Sequence, residues 1–284
     1  MDKIANSVYV SSHYRGVTVG AVVTPMGVVC VDAPMLPADA HDWRAKIASV
    51  TDAPIRYVVN TDAHRDRVLG QQWLGGAVVA TEFTAERMRS YGDTFRQQVA
   101  DFLSHHGAPD AAEEIALNLQ VTQPQISFTE RLVLHLAEPR IEVRVVGGAN
   151  PGSAWVVLPD VGVVFTGDLL TLNVHPVMSE SNTAQWLERL AELRKPAFPA
   201  RRIVPGRGPV ARKADSQKMS LYLRDVRNRV RALIKARKPK AEVASLVAGF
   251  MPRFPIPEGE RERIQRRIRA GLEHVYDELK QGKG

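Results

Sequence analysis

Asn60-Thr61-Asp62-Ala63-His64-Arg65-Asp66-Arg67 is polar at every position but one. It follows the apolar run Ile55 to Val59 and leads into Val68-Leu69-Gly70. That order is a strand, a polar loop and a short helix. Carboxylates and a neutral imidazole are lone-pair donors of the kind a metal takes. Arginine stays protonated and has no lone pair to give. Arg67 therefore puts a fixed positive charge where donors gather.

Working outward, three further segments have the same form, an apolar strand closed by a glycine-framed loop. They are Gly147-Gly148-Ala149-Asn150-Pro151-Gly152-Ser153, Val164-Phe165-Thr166-Gly167-Asp168-Leu169-Leu170 and Ile203-Val204-Pro205-Gly206-Arg207-Gly208-Pro209. Upstream, Val19 to Asp32 has the form of a hairpin ending in Val-Asp. Together these segments resemble the metallo-β-lactamase superfamily over roughly residues 5 to 212, in the family's order. The family signature H-x-H-x-D-H falls on Asp62, His64, Asp66 and Arg67. Its third histidine falls on Ala149, its bridging aspartate on Asp168 and its last histidine on Arg207.

The resemblance implies an α+β fold, a four-layer αββα sandwich of two mixed sheets, with the site at one edge. It also implies two metals, commonly zinc, sharing a hydroxide that attacks a carbonyl or phosphoryl centre. Of the seven ligand positions, only His64, Asp66 and Asp168 keep their identity. The second metal position has lost two of its ligands to fixed cations, Arg67 and Arg207. The first retains Asp62, His64 and Asp168, which could hold one Zn, Fe or Mn ion. A guanidinium and a dication about 4–6 Å apart repel by several kcal/mol even at an effective dielectric near 20. The expectation is no bound metal, with Arg67 or Arg207 hydrogen-bonded to Asp62, Asp66 or Asp168. Two guanidiniums and a protonated His64 would then neutralise three carboxylates.

Length and charge set the wider organisation. The 284 residues allow one large domain or a domain with an appendage, and 44% apolar content suits a globular chain. Residues 213–284 hold 18 of the 38 Lys+Arg and 9 of the 31 Asp+Glu, so the net charge of +7 belongs to this segment. We therefore divide the chain into a main domain, 1–212, and a basic C-terminal helical segment, 213–284. In the latter, Gln217 to Lys238, Lys240 to Met251 and Glu260 to Lys280 carry apolar residues at helical spacing. Their stripes must be buried on the main domain or across a homodimer interface. The basic faces also allow nucleic-acid binding, but their charges are interspersed with acids and lack aromatic interleaving.

Elsewhere, Pro37 to Ala48 and Thr183 to Leu193 are predicted helices, Thr84 opens another, and Thr94 to Asn118 forms a helix–loop–helix insertion. Strands are predicted at Ser7 to Val10, Val17 to Thr24, Val28 to Asp32, Ala77 to Ala80, Leu132 to Leu136, Ile141 to Val146, Ala154 to Leu158 and Val161 to Thr166. The single Cys30 allows no internal disulfide and is predicted to be a buried strand residue. No apolar signal core or membrane-length run is visible, so the chain is expected to be cytoplasmic. His175 is a candidate for the pocket mouth, and His105-His106 is expected on the surface.

Three functions compete. One is a non-hydrolytic member of the fold, binding a small anionic ligand through Arg67, Arg207 and His64 or serving as a scaffold. Another is a mononuclear hydrolase of an ester, amide or lactone with Asp66 as base. The third is nucleic-acid binding through the C-terminal helices.

Overall fold

A computed structural model describes residues 1–105 and 108–282; His106 lies outside them, and His105 is exposed. The first sheet contains β1 (Asp2–Ala5), β2 (Val8–Ser11), β3 (Val19–Thr24), β4 (Gly27–Val31), β5 (Ile55–Val59), β6 (Ala77–Thr81) and β7 (Ile126–Phe128), in that spatial order. β1 to β4 pair antiparallel, and β4 to β7 pair parallel. Between these strands lie α1 (Pro37–Ala48), α2 (Arg65–Val68), α3 (Gln71–Leu74), α4 (Glu82–Arg89), α5 (Asp93–His105) and α6 (Pro109–Asn118). The second sheet contains β8 (Arg131–Leu134), β9 (Ile141–Val145), β10 (Ala154–Leu158), β11 (Val163–Phe165) and β12 (Arg202–Val204). Only its β11–β12 pair is parallel. α7 (Thr183–Arg194) lies between β11 and β12, and α8 (Ser216–Lys235), α9 (Ala244–Phe250) and α10 (Arg261–Lys280) follow β12.

Strand alternation builds the layers. In β4, Val29 and Val31 face the second sheet, where they join Val143, Val156 and Phe165 in one buried cluster. Val28 and Cys30 face the other way, onto Trp43 and Ile47 of α1. In β10, Val156 and Leu158 point into the sandwich, while Trp155 and Val157 point outward beneath the C-terminal helices. The result is helix, sheet, sheet, helix, as the four-layer expectation requires. The sheets approach closely at Gly20, where an added Cβ would lie 2.1 Å from the Phe165 ring.

Several element boundaries differ from the sequence expectations. α4 begins at Glu82 rather than Thr84, because the Thr81 side chain caps it by accepting from the Thr84 amide at 3.2 Å. β1 and β7, the outer strands of the first sheet, do not appear in the sequence pattern. Lys240 to Met251 is a 3-10 turn followed by α9 rather than one helix.

The C-terminal helices share a continuous core with the main domain. Leu223, Val226 and Val230 of α8 and Ile264, Ile268 and Leu272 of α10 are packed with Trp155, Trp186 and Leu190. A buried polar clamp reinforces the join. Arg227 of α8 pairs with Glu278 of α10 at 2.9 Å. Glu278 also accepts from the Thr183 amide, 3.1 Å away, at the start of α7. The outer faces carry pairs such as Arg229–Asp225 and Arg269–Glu273. Among the described residues no helix is long and apolar enough to cross a membrane.

Candidate functional site

The polar loops gather at one edge of the sandwich, at the ends of the parallel strands. Asp32 follows β4, Asp62 and His64 follow β5, Asp168 sits in a 3-10 turn after β11, and Arg207 follows β12. The Gly206 amide donates to Gly167 O at 2.9 Å, and the Thr18 amide donates to Gly206 O at 2.9 Å. Glycine is required at 206: a Cβ there would lie 2.5 Å from Asp168 Oδ1 and 2.6 Å from the Gly167 carbonyl carbon. The Ala154 amide donates to Thr61 O at 2.8 Å and ties the two sheets together beside the site.

Arg67 stands at the centre, with none of its surface exposed. Its Nη2 donates to Asp168 Oδ1 at 2.6 Å and its Nη1 to Thr61 Oγ1 at 3.0 Å. Its Nε lies 3.1 Å from Asp62 Oδ1, and its Nη1 lies 3.6 Å from Asp32 Oδ2. Arg207 grips the same aspartate from the other side, with Nη2 at 3.1 Å from Asp168 Oδ2. Its Nη1 pairs with Asp66 Oδ2 at 2.6 Å. His64 Nδ1 lies 2.9 Å from Asp62 Oδ1 and 3.8 Å from Asp168 Oδ2. Asn150 Nδ2 donates to Asp62 Oδ2 at 3.4 Å.

Charge follows this geometry. Burial alone would push the Asp168 carboxyl up, but Arg207, Arg67 and His64 hold it far below the usual carboxylate range. Asp62 is likewise lowered against its own burial by Arg67 and His64. Burial would lower the His64 imidazolium, yet Asp62 and Asp168 raise it above the ordinary histidine value. Asp32 differs. Burial pushes it up to about 7, with Arg67 and two hydrogen bonds from Thr61 opposing.

The structure thus brings Asp62, His64, Asp66, Arg67, Asp168 and Arg207 together. Ala149 is instead part of the apolar cluster around Trp186 and Leu169, and its neighbour Asn150 reaches the site. His175 is buried and lines the pocket wall; its Nε2 is 3.2 Å from Met251 O and its ring meets Phe254 edge-on. The sequence reading missed Asp32 and Thr61 as partners of Arg67, although the Val-Asp end of the hairpin marked the position.

Asp62, His64 and Asp168 each offer a ligand atom, and these atoms lie within 4.8 Å of one another. The same two carboxylates are the acceptors of the guanidiniums. Beside them opens a cavity of about 890 Å³, which includes His64, Asp66 and Arg207 in its wall. Its far wall is formed by the segment from Pro255 to Arg267, in the C-terminal region.

Residues 15–207 match the sequence profile of the metallo-beta-lactamase superfamily. Among solved structures, a metallo-beta-lactamase family protein of Thermus thermophilus aligns with 99% of this chain and 95% of its own, at 17% identity and a TM-score of 0.68. A metallo-beta-lactamase from Pontibacter korlensis aligns with 78% of this chain and 97% of its own, at 20% identity and a TM-score of 0.57. A stereoselective inverting sec-alkylsulfatase from a Pseudomonas species gives a TM-score of 0.74 over 97% of this chain, at 15% identity, but only 49% of the sulfatase chain is covered. These identities establish a shared fold. A search of curated protein sequences finds no significant match.

Proposed function

The chain belongs to the metallo-beta-lactamase superfamily, and from that premise we propose that this member uses the family's pocket to bind a small anionic ligand without a catalytic metal. The observation that carries the reading is Arg67: a wholly buried guanidinium donates to Asp168 and lies against Asp62, two of the three donors that could hold an ion.

The donor set does not fit a metal. Both oxygens of Asp168 already accept from guanidiniums, Oδ1 from Arg67 and both from Arg207. At about 4–6 Å and an effective dielectric near 20, each guanidinium would repel a dication by roughly 5–8 kcal/mol. A complete structural zinc site contributes about 10–16 kcal/mol in total. A three-donor site would have little left after opposing two arginines. Conversely, the carboxylates of a metal site need positive partners when buried, and the arginines supply them. Arg207 and His64 line the cavity but are balanced there by Asp62, Asp66 and Asp168, and Arg15, Arg65, Arg263 and Arg267 bring further positive charge to its wall.

One observation favours a second reading. The clustering of the Asp62, His64 and Asp168 ligand atoms would suit a mononuclear hydrolase of an ester, amide or lactone, with Asp66 as base. Elemental analysis of the purified protein separates the two. We expect no stoichiometric Zn, Fe or Mn. Near-stoichiometric metal, lost to a chelator together with hydrolase activity, would replace the first reading by the second.

A further inference from the structure

The pocket mouth has a chemistry of its own, beyond the salt-bridged centre. Arg65 stacks on Phe102 with its guanidinium 3.8 Å from the ring centroid, and Arg15 and Arg263 lie 5.9 Å from the same centroid. Arg207 and Arg267 line the same cavity. Five guanidiniums therefore line one cavity.

Their neutralisation is uneven. Arg207 is paired with Asp66 and Asp168. Arg263 and Arg15 both face Glu260. Arg65 and Arg267 have no carboxylate at ion-pair distance among the described residues. Arg267 Nη1 donates to the His175 carbonyl at 3.3 Å. Burial, then Arg207 and Arg263, push Arg267 down to about 10. Arg65 is lowered by burial and by Arg263, Arg207 and Arg15, with Asp66 opposing. Of the remaining acids in the wall, Glu258 is exposed.

The rest of the lining is largely apolar: Met35, Tyr91, Phe95, Val174 and Ile264. A cavity of about 890 Å³ is of the size that encloses a drug-sized organic molecule. Inorganic anions alone would leave most of that surface unmatched.

We infer that the mouth is a subsite for an amphiphilic oxyanion, its head held by Arg65, Arg263 and Arg267 and its apolar body laid against Tyr91, Phe95 and Ile264. Planar guanidinium forks suit carboxylate, sulfate and phosphate heads alike. The inference rests on the reading of the pocket as a ligand site, but the arginines involved are not those that displace the metal.

Calorimetric titration of the full chain with octanoate and octyl sulfate, below their micelle-forming concentrations, tests it. Inorganic sulfate and 1-octanol serve as head-only and body-only probes. The metal content of the same samples is measured before and after chelator treatment. Saturable binding of one or both amphiphiles is expected, with the preferred one identifying the head. Arg65→Gln and Arg267→Gln should each weaken it about tenfold, the effect of a charge-assisted hydrogen bond. Arg267→Lys should fall between, and Arg131→Gln, on a distant strand, should bind as the unmodified protein does. Thermal unfolding verifies that each variant is folded. Gln variants with undiminished affinity, or octanol binding as tightly as octanoate, would overturn the subsite. Stoichiometric metal with arginine-dependent amphiphile binding would overturn the metal-free reading and leave the subsite standing. Neither metal nor amphiphile bound would do the reverse.

Discussion

At the residue scale, the decisive group is Arg67. It is a wholly buried cation whose neighbours are Asp32, Asp62 and Asp168. Removing it leaves carboxylates buried without their partner, and breaking one side of a buried pair costs roughly 3–5 kcal/mol. Arg67→Met should therefore lower the unfolding free energy by about that amount in a denaturant titration. A change under about 0.5 kcal/mol, typical of an exposed site, would show that the network is not holding the loops. The family resemblance already pointed to Asp62, His64, Asp66, Asp168 and Arg207, and Gly167, Pro205-Gly206 and Gly208-Pro209 pin the last two. Asp32 and Thr61 were not legible, since their bond to each other and to Arg67 exists only once β4 and β5 lie side by side. His64 adds a pH dependence. Its folded value is raised by Asp62 and Asp168, so its stabilisation is fully present below the ordinary histidine value, about 6.5. That contribution is lost as pH rises through the folded value. Asp32, raised to about 7, acts in the same direction between the ordinary carboxylate range and that value. Above about pH 6 the denaturation midpoint should fall as pH rises, and less so in His64→Gln. Superimposable profiles for the two proteins would remove His64 from the charge balance.

At the element scale, the long amphipathic helices and the buried strands were readable from periodicity. The short edge strands were not. Asp2-Lys3-Ile4-Ala5 has no alternation to detect, and β1 is held by its pairing with β2. Ile126-Ser127-Phe128 is too short for a pattern and gains its partner only through β6. The same limit hid the clamp between helices. Glu278 lies on the buried side of α10, where a carboxylate is costly unless paired. It receives Arg227 from α8 and both the amide and hydroxyl of Thr183 from α7. Three helices are thus joined by one side chain. Glu278→Ala should cost roughly 3–5 kcal/mol, because it leaves the Arg227 guanidinium buried and unpaired. Glu278→Ala combined with Arg227→Met should cost less than that single change. If Glu278→Ala alone unfolds like the unmodified protein, packing rather than the clamp sets the docking of α10.

At the scale of the whole molecule, the C-terminal segment bears on both the core and the pocket. The sequence showed its apolar stripes but not what covers them. In the fold they lie against the outer face of the second sheet and α7, where Leu223, Val230 and Ile264 share a cluster with Trp155 and Trp186. Each such aliphatic side chain contributes roughly 1.5–3 kcal/mol by burial. A domain's net stability is only about 5–15 kcal/mol. Losing a few of these contacts is therefore enough to consume it. Truncation at residue 214 should yield a chain that aggregates, because Trp155, Trp186 and Leu190 become an exposed apolar face. It should also abolish ligand binding, because Pro255, Arg263 and Arg267 are removed from the pocket wall. Sedimentation and circular dichroism of the truncated chain decide the point. A monomer with the unmodified protein's unfolding curve would make the segment an appendage and would sever the core from the pocket. An aggregated truncation, recovered on adding the 215–284 segment in trans, would show that the same helices complete both.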